Sequence, residues 1–251
     1  MNLSFEEFHS FSDAITQNLF PPARDIDYAN GVKQKDDGTI VTSFDIAIEE
    51  KIRKVIRNSF PDHNIIGEEG NDLNNGSDYT WVIDPIDGTF SFSHGVPLFG
   101  TLLGLLFRNI PLYGAMRLPM YGNSFLAGDS KKCLHNGKEC TVKSFHGCNE
   151  SLILTTDLER IRKSRFKHYF DDLIKSGCTV RTWGDCFGYF MLCTGKADLM
   201  MDLELKRCDI LPLIPIIRGS GAVVLKLSCN EYENVIACTP EMVEKIQTQI
   251  F

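Results

Sequence analysis

Apolar residues recur at three- and four-residue spacing in two stretches near the start of the chain, and this pattern predicts two amphipathic helices. The first covers residues 3–20 and stops at Pro21, because a proline interrupts the helical hydrogen bonds. The second covers residues 43–59 and ends before Pro61. Between them, the polar, glycine-containing segment 33–38 predicts a turn.

Short apolar runs follow, and each is typical of a buried strand. In the first half of the chain these runs cover 64–66, 81–83, 98–107, 112–118 and 124–128. Beyond a turn at 135–138, predicted strands alternate with predicted helices. The strands cover 151–155, the surroundings of Val180, 197–202, 222–227 and 234–237, and the helices cover 158–175, 185–195, 209–218 and 240–249.

This alternation predicts an α+β fold in which helices and sheets form separate layers. The turn at 135–138 is the weakest point of the pattern and therefore the best place for a boundary. We expect an N-terminal α+β half over residues 1–137 and a C-terminal α/β half over residues 138–251.

Composition then excludes several classes of function. The 251 residues carry 26 Lys and Arg against 33 Asp and Glu, a formal charge of −7. We expect no nucleic-acid or membrane partner, because both need a basic surface. The nine cysteines are scattered without a CxxC pair, which argues against a disulfide framework and against a zinc site. The acidic first segment does not resemble a signal peptide. No apolar stretch is long enough to span a bilayer. We therefore expect a cytoplasmic protein.

Acidic residues that follow apolar runs are the most informative feature of the chain. Asp84 and Asp87 stand at the end of a buried strand, and Glu68 follows the apolar run 64–66. Asp209 stands at the entry of an apolar helix. Taken singly, each fits a turn or a helix N-cap. Together, and without a cluster of histidines, they favour an oxygen-only magnesium site over a zinc site.

Such a site suits the hydrolysis of a phosphate ester. Two Mg²⁺ ions about 4 Å apart would activate a water molecule and neutralise the leaving oxygen. The amides of Gly88 and Thr89 can hold a phosphate if a helix or an anion nest begins there. The chain contains neither a GxSxG nucleophile motif nor a GxxxxGK[ST] phosphate loop, so serine-nucleophile and ATP-driven chemistry are unsupported.

Four signatures follow one another along the chain. They are V-T-x-x-D at 41–45, G-E-E at 67–69, D-P-I-D-G-T at 84–89, and a late Asp-containing segment at 208–212 that leads to the turn 218–221. On these motifs, which span almost the whole chain, the sequence resembles the lithium-sensitive, magnesium-dependent inositol monophosphatase family. The resemblance implies a five-layer αβαβα sandwich of the inositol monophosphatase / fructose-1,6-bisphosphatase type, a small phosphate ester as substrate, and a homodimer.

The resemblance also implies roles for individual residues. It implies two or three Mg²⁺ ions, with metal ligands at Glu68, Asp84, the Ile86 carbonyl, Asp87 and Asp209. Asp45 and Thr89 match the pair that orients and deprotonates the attacking water, and Glu68 is counted with them as catalytic. The amides of Gly88 and Thr89 match the family's phosphate contacts.

One branch of the family looks closer than the others. The strings 35–45 and 184–209 resemble the histidinol-phosphatase branch, which implies L-histidinol phosphate as substrate and a place in histidine biosynthesis. Asp185 stands where inositol enzymes usually carry a small neutral residue, and Asp202 where they usually carry a Glu. Two carboxylates beside the site suit a substrate with an amine and an imidazole. Asp185 also fits the N-cap of the following helix.

Two alternatives stay open from the sequence. The first is myo-inositol monophosphate as substrate. The second is a non-catalytic relative that binds a phosphorylated ligand, because the sequence departs from the family pattern at Cys208, at Leu211-Pro212-Leu213 and at 218–221. Retention of Asp45 and Thr89 speaks against the second alternative, since a binding module needs no water-activating pair.

Overall fold

The structure, a computed structural model, describes residues 3–28, 30–36, 38–227 and 234–250. Its helices are α1 (Phe5–Thr16), α2 (Ser43–Ser59), α3 (Thr89–Ser93), α4 (Leu158–Lys163), α5 (Lys167–Lys175), α6 (Asp185–Cys193), α7 (Arg207–Ile210), α8 (Leu213–Gly219) and α9 (Pro240–Ile250). Its strands are β1 (Lys33–Gln34), β2 (Ile40–Val41), β3 (Asn64–Gly67), β4 (Tyr79–Asp87), β5 (Gly100–Phe107), β6 (Ile110–Leu118), β7 (Ser124–Gly128), β8 (Cys133–His135), β9 (Lys138–Glu139), β10 (Leu152–Leu154), β11 (Thr179–Arg181), β12 (Leu199–Asp202), β13 (Val223–Lys226) and β14 (Val235–Cys238).

The elements stack in five layers, which confirms the predicted αβαβα sandwich. Helices α1 and α2 cover one face of the sheet β3–β9 through a core that includes Phe8, Ile52 and Trp81. Helices α6 and α8 lie between that sheet and the sheet β10–β14. Helices α4, α5 and α9 cover the outer face of the second sheet. Each sheet therefore buries both faces, which explains why its strands read as continuous apolar runs.

The strand order determines which loops meet. The first sheet runs β3 to β9 in sequence order, and β3 pairs parallel to β4 while the other neighbours pair antiparallel. The second sheet has the order β11-β10-β12-β14-β13, with β10 parallel to β11 and to β12. Because parallel strands end at the same edge of a sheet, the residues that follow β10 lie next to the end of β12.

Two segments differ from the prediction. A single helix over 158–175 is wrong, because the chain forms α4 and α5 with a break at Ser164. The Ser164 hydroxyl accepts a hydrogen bond from the N–H of Phe166 at 3.1 Å, and such side-chain bonds compete with the helical backbone. The turn predicted over 33–38 is also too long, since Lys33–Gln34 pairs with β2 as strand β1.

The apolar helix predicted over 209–218 is also two helices. Pro212 separates α7 from α8, since it lacks an N–H and its ring would clash with the carbonyl of residue 208 in a continuous helix. Pro215 is tolerated as the third residue of α8, where an N–H would have no acceptor within the helix.

Helix α8 and the preceding Pro212 pack against a row of glycines in the first sheet. Gly104, Gly114 and Gly128 are directly paired across β5, β6 and β7. A Cβ on Gly114 would lie 1.8 Å from the carbonyl oxygen of Pro212, and one on Gly128 would lie 2.6 Å from the Cα of Ile216. The glycine row therefore lets the backbone of α8 and its N-cap Pro212 lie directly against the sheet.

The expected boundary between the two halves falls within a hairpin. His135 pairs with Lys138 in the β8–β9 hairpin, which belongs to the first sheet. The chain passes to the second sheet after Glu139. The division into halves at residues 137 and 138 stays a prediction.

None of the cysteines that the structure describes forms a disulfide bond. Eight are free and six of these are buried, while Cys229 lies outside the described residues. Within the described chain, no helix combines the length and the apolar character that crossing a membrane requires.

The glycine row generates a graded prediction. We expect Gly114→Ala to lower the free energy of unfolding by roughly 1–3 kcal/mol, because the new methyl group would overlap a backbone carbonyl. Gly104→Ala is the matched control, since its Cβ would lie 3.1 Å from the Cα of Pro212. Urea unfolding measures both, and an equal loss in the two variants would contradict the proposed contact.

Candidate active site

The D-P-I-D-G-T segment leaves the sheet at the end of β4. The β4–β5 register shifts between Asp84 and Asp87, and such an irregularity re-aims the side chains that follow it. Gly88 has φ +88°, a left-handed conformation that glycine adopts without strain, and α3 begins at Thr89. The first amides of a helix have no acceptor within it. The Thr89 amide is therefore available to a phosphate oxygen, and its role as a phosphate contact stays a prediction.

Three carboxylates from separate elements meet beside this segment. Oxygen atoms of Glu68, Asp84 and Asp209 all lie within 4.8 Å of one another. Asp84 is 1% exposed, and its Oδ1 has no hydrogen-bond partner among the described residues. Burial and the neighbouring Glu68 raise the pKa of Asp84 well above its usual range. A buried, unpartnered carboxylate oxygen within an all-oxygen donor set fits Mg²⁺.

Helix α2 holds the loop that carries Glu68. The buried carboxylate of Glu49 accepts hydrogen bonds from the N–H groups of Glu69 at 2.7 Å and Gly70 at 2.9 Å. Arg53, one turn later, donates to the same Glu49 at 2.6 Å. Helix α2 thus holds the loop that positions Glu68, and the first turn of the same helix carries Asp45.

Two lysines contact this cluster, and the sequence analysis missed both. Lys35 Nζ lies 3.2 Å from Glu68 Oε1 and 2.6 Å from Glu69 Oε1. Lys206 Nζ lies 3.4 Å from the same Glu68 oxygen. Only weak features of the sequence pointed to these lysines. Lys35 is the first residue of the string 35–45, and Lys206 stands three residues before Asp209. The two ammonium groups offset part of the negative charge of the cluster.

The structure brings Asp45 and Thr89 together, as their predicted role requires. The Thr89 hydroxyl lies 3.1 Å from Asp45 Oδ1 and 2.8 Å from the Ile86 carbonyl oxygen. Asp45 also accepts the N–H of Thr42 at 2.7 Å, so it caps α2 at the same time. Burial raises the pKa of Asp45, although the Thr42 donors act against the shift. Asp45 is therefore held rigidly with one oxygen facing Thr89.

Asp87 faces a different group of acids. Its Oδ2 accepts a hydrogen bond from the N–H of Cys186 at the start of α6. It lines a cavity of about 70 Å³. The cavity walls comprise Asp87, Thr156, Arg160, Asp185, Tyr189, Asp202, Glu204, Leu205, Asp209 and Leu213. Burial, and then the charge of Asp185, raise the pKa of Asp87 well above its usual range.

Asp185 and Asp202 are linked through Thr156, which follows β10. The Asp185 N–H donates to the Thr156 hydroxyl at 2.8 Å, and this hydroxyl donates to Asp202 Oδ2 at 3.0 Å. Burial raises the pKa of Asp185 to about 6 and that of Asp202 to about 8. The sequence analysis did not find Thr156, because only the parallel pairing of β10 with β12 places it beside Asp202.

The N-cap reading of Asp185 is not what the structure shows. The N-cap of α6 is Gly184, and Asp185 is the first helical residue with φ +50°. An Asp in this conformation is uncommon, and such backbone strain tends to occur at functional sites. The strained backbone therefore agrees with a functional position for Asp185.

A larger cavity of about 540 Å³ lies elsewhere on the molecule. It is lined by Asn64, Ile66, Asp72, Leu73, Asn74, Gly76, Ser77, Asp78, Thr80, Arg108, Asn109 and Arg207. None of the predicted site residues lines it, so size alone does not locate the chemistry.

The clustered acids predict how the metal-free protein responds to pH. A carboxyl group whose pKa rises on folding contributes stability that is complete below its unfolded pKa of about 4. This contribution is lost as the pH rises through the folded value, which burial raises to about 7 for Asp209. We therefore expect the melting temperature in EDTA to fall between pH 5 and pH 8.

Mg²⁺ and one variant serve as controls for this prediction. Added Mg²⁺ should raise the melting temperature more at pH 8 than at pH 5, because the cation replaces the protons of the carboxyl groups. Asp84→Asn should flatten the pH dependence and weaken the Mg²⁺ effect. A melting temperature in EDTA that is independent of pH would contradict the proposed charge cluster.

Comparison with known proteins agrees with this geometry. The sequence model described as "Inositol monophosphatase family" matches residues 10–249. A histidinol-phosphatase of Chlorobaculum parvum is 34% identical over 190 residues, which cover 76% of this chain and 73% of that protein. A fructose-1,6-bisphosphatase/inositol-1-monophosphatase of Aquifex aeolicus is 30% identical over 195 residues, 76% of this chain and 74% of the relative. An IMPase structure from Thermotoga maritima has the same fold, with a TM-score of 0.83. The two proteins are 23% identical, and the match covers 96% of this chain and 95% of that one. The chain therefore belongs to the inositol monophosphatase family of phosphatases.

Proposed function

We propose that this phosphatase is a Mg²⁺-dependent phosphomonoesterase that converts L-histidinol phosphate to L-histidinol and phosphate. The observation that carries the proposal is the acidic cavity beside the D-P-I-D-G-T segment, where Asp185 and Asp202 flank Asp87. An amine and an imidazole both carry or attract a proton, and buried carboxylates bind such groups strongly. The relative from Chlorobaculum parvum, named as a histidinol-phosphatase, supports this choice of substrate.

Two or three Mg²⁺ ions would be held by Glu68, Asp84, Asp87, Asp209 and the Ile86 carbonyl. When bound, Mg²⁺ supplies positive charge that stabilises the phosphoryl oxygens and lowers the pKa of water. The unpartnered Asp84 oxygen and the three-carboxylate cluster support this assignment. Without divalent cations the same carboxylates repel a phosphate, so phosphate affinity depends on Mg²⁺.

Asp45 and Thr89 orient and deprotonate the attacking water in this proposal. The Thr89 hydroxyl can pass a proton to Asp45 Oδ1, from which it lies 3.1 Å. The raised pKa of Asp45, caused mainly by burial, makes this carboxylate a better proton acceptor than an exposed one. The amides of Gly88 and Thr89 bind the phosphate and place its phosphorus in front of the water.

myo-Inositol monophosphate is the alternative substrate. The relative from Aquifex aeolicus, which is named as a fructose-1,6-bisphosphatase/inositol-1-monophosphatase, supports this alternative. An inositol ring carries hydroxyl groups and no cation, so it offers the buried carboxyl groups of Asp185 and Asp202 no positive charge that would favour their ionised forms. We rank it second for this reason.

A non-catalytic role is less well supported. Cys208, which departs from the family pattern, is buried against Val82 and Leu106. Asp209 keeps its hydrogen bond from the Lys206 N–H at 2.8 Å and its place beside Asp84. The departures around Asp209 are therefore compatible with metal binding.

Several expectations from the sequence stay proposals. These are the homodimer, inhibition by Li⁺, a place in histidine biosynthesis, a cytoplasmic location and the division of the chain into two halves.

Phosphate release with two substrates tests the proposed function. We expect Mg²⁺-dependent turnover of L-histidinol phosphate, with a kcat/KM above that for myo-inositol 1-phosphate, and no turnover in EDTA. Asp202→Asn should lower kcat/KM for histidinol phosphate about 10- to 100-fold, the value of a charged hydrogen bond, and change the inositol rate little. No turnover of either ester would overturn both substrate proposals, and activity that survives EDTA would overturn the metal requirement.

The proposed proton path has its own test. Thr89→Ala should lower kcat by about 10²–10⁴, because it removes the hydroxyl that contacts Asp45. Mg²⁺ affinity, measured by calorimetry, should stay within a few-fold of the parent value. Thr89→Ser keeps the hydroxyl and should recover most of the rate, whereas equal losses in both variants would point to a packing defect.

A further inference from the structure

Tyr189 lies in the wall of the acidic cavity, and neither the metal site nor the proton path uses it. It stands four residues after Asp185 on α6, so both side chains project from the same face of that helix. The cavity also contains the carboxylates of Asp87, Asp202 and Asp209. These three acids and Asp185 all act electrostatically on the Tyr189 phenol. Tyr189 therefore shares one cavity wall with acids of both the metal side and the substrate side of the site.

The Tyr189 hydroxyl differs from the neighbouring Thr156 hydroxyl in its hydrogen bonding. Tyr189 is 1% exposed, and its Oη has no hydrogen-bond partner among the described residues. The nearby Thr156 hydroxyl, in contrast, accepts from Asp185 and donates to Asp202. A buried hydroxyl without a partner is unfavourable for folding, and such groups in native proteins call for an explanation. A ligand in the cavity would provide the missing partner.

The chemistry of the cavity indicates what this partner is. The other inner polar groups are carboxyl groups and the Thr156 hydroxyl, whose proton already goes to Asp202. A cationic substrate group favours the ionised carboxylates, which accept hydrogen bonds and donate none. Arg160 lies nearer the rim, where its Nε pairs with Glu204 at 3.2 Å and its Nη1 donates to the Leu203 carbonyl at 2.9 Å. An acceptor atom on the substrate therefore needs a donor from the inner wall, and the Tyr189 hydroxyl can provide one.

We infer that Tyr189 is a specificity-determining residue whose hydroxyl donates a hydrogen bond to an acceptor atom on the alcohol portion of the substrate. Its acceptor is a neutral ring nitrogen or a hydroxyl oxygen, while Asp185 and Asp202 accept from the cationic part. This inference rests on the proposed function, because it takes the acidic cavity as the place of the alcohol portion. The inference predicts that the enzyme prefers phosphate esters whose alcohol portion carries both a hydrogen-bond donor and a hydrogen-bond acceptor.

Tyr189→Phe tests the inference with a change of one oxygen atom. We expect kcat/KM for L-histidinol phosphate to fall about 5- to 30-fold, the range of one hydrogen bond. Phenyl phosphate, whose alcohol portion carries no polar group beyond the ester oxygen, should react within about threefold of the parent rate. An equal loss on both esters, or no loss on either, would overturn the inference.

A matched variant separates the hydroxyl from effects on the helix. Tyr121 is exposed and packs against Phe187 and Phe190 of α6, so Tyr121→Phe removes a phenol that contacts the same helix outside the cavity. It should leave the ratio of the two kcat/KM values unchanged. Tyr189→Phe should also keep or raise the melting temperature of the ligand-free protein, because it removes an unpartnered buried hydroxyl. A melting temperature several degrees lower would show that the hydroxyl has a structural partner and would overturn the inference.

Failure of the inference is distinguishable from failure of the proposed function. The parent protein decides the proposed function through its own turnover of L-histidinol phosphate. If it hydrolyses myo-inositol 1-phosphate instead, the same Tyr189→Phe comparison is made between that ester and phenyl phosphate. Calorimetry with the product L-histidinol gives a readout without turnover, and Tyr189→Phe should weaken its binding by a similar factor of about 5 to 30.

Discussion

The carbonyl of Pro212 lies against the backbone of Gly114, at a distance that no side chain at position 114 would allow. Through this contact a helix pair from the second half of the chain rests on the first sheet. Helix α7, which precedes Pro212, contacts β4. Asp209 on α7 thereby lies beside Asp84 on β4, although 125 positions separate them in the sequence. The carboxylate cluster depends on this close backbone packing, because Glu68 and Asp84 come from the first part of the chain and Asp209 from the second.

Charge is the second constraint on the site. Burial of several carboxylates in one place is unfavourable unless cations or protons accompany them. Lys35 and Lys206 contribute two positive charges next to Glu68, while burial and the neighbouring acids raise the pKa values of Asp84 and Asp87 above their usual range. A divalent cation at this cluster would relieve the repulsion that folding creates between the carboxylates. The same charge makes the cavity at Asp185 and Asp202 suited to a cationic group.

The departures from the family pattern have a structural explanation. Cys208 fills a small apolar space with Val82 and Leu106, where it is buried as a compact apolar side chain. Pro212 divides the expected helix in two and serves as the N-cap of α8. Ser220 in the turn 218–221 is fully buried, and its hydroxyl donates to the Ile217 carbonyl at 2.7 Å. Asp209 remains in the carboxylate cluster with these residues around it.

The sequence by itself determined the layers and most helix and strand positions and singled out the acids of the carboxylate cluster, because apolar periodicity and the D-P-I-D-G-T motif are local signals. It did not separate α4 from α5, since that break depends on a side-chain hydrogen bond at Ser164. It also predicted one helix in place of α7 and α8, although Pro212 itself interrupts the helix. It also missed Lys206, Thr156 and Tyr189. Thr156 reaches the site through parallel strand pairing, and Tyr189 through the position of α6 between the two sheets. Lys206 reaches it through the packing of α7 against β4. Local pattern decides which elements form, and only the tertiary structure decides which side chains share one small volume, because that depends on contacts between residues far apart in the chain.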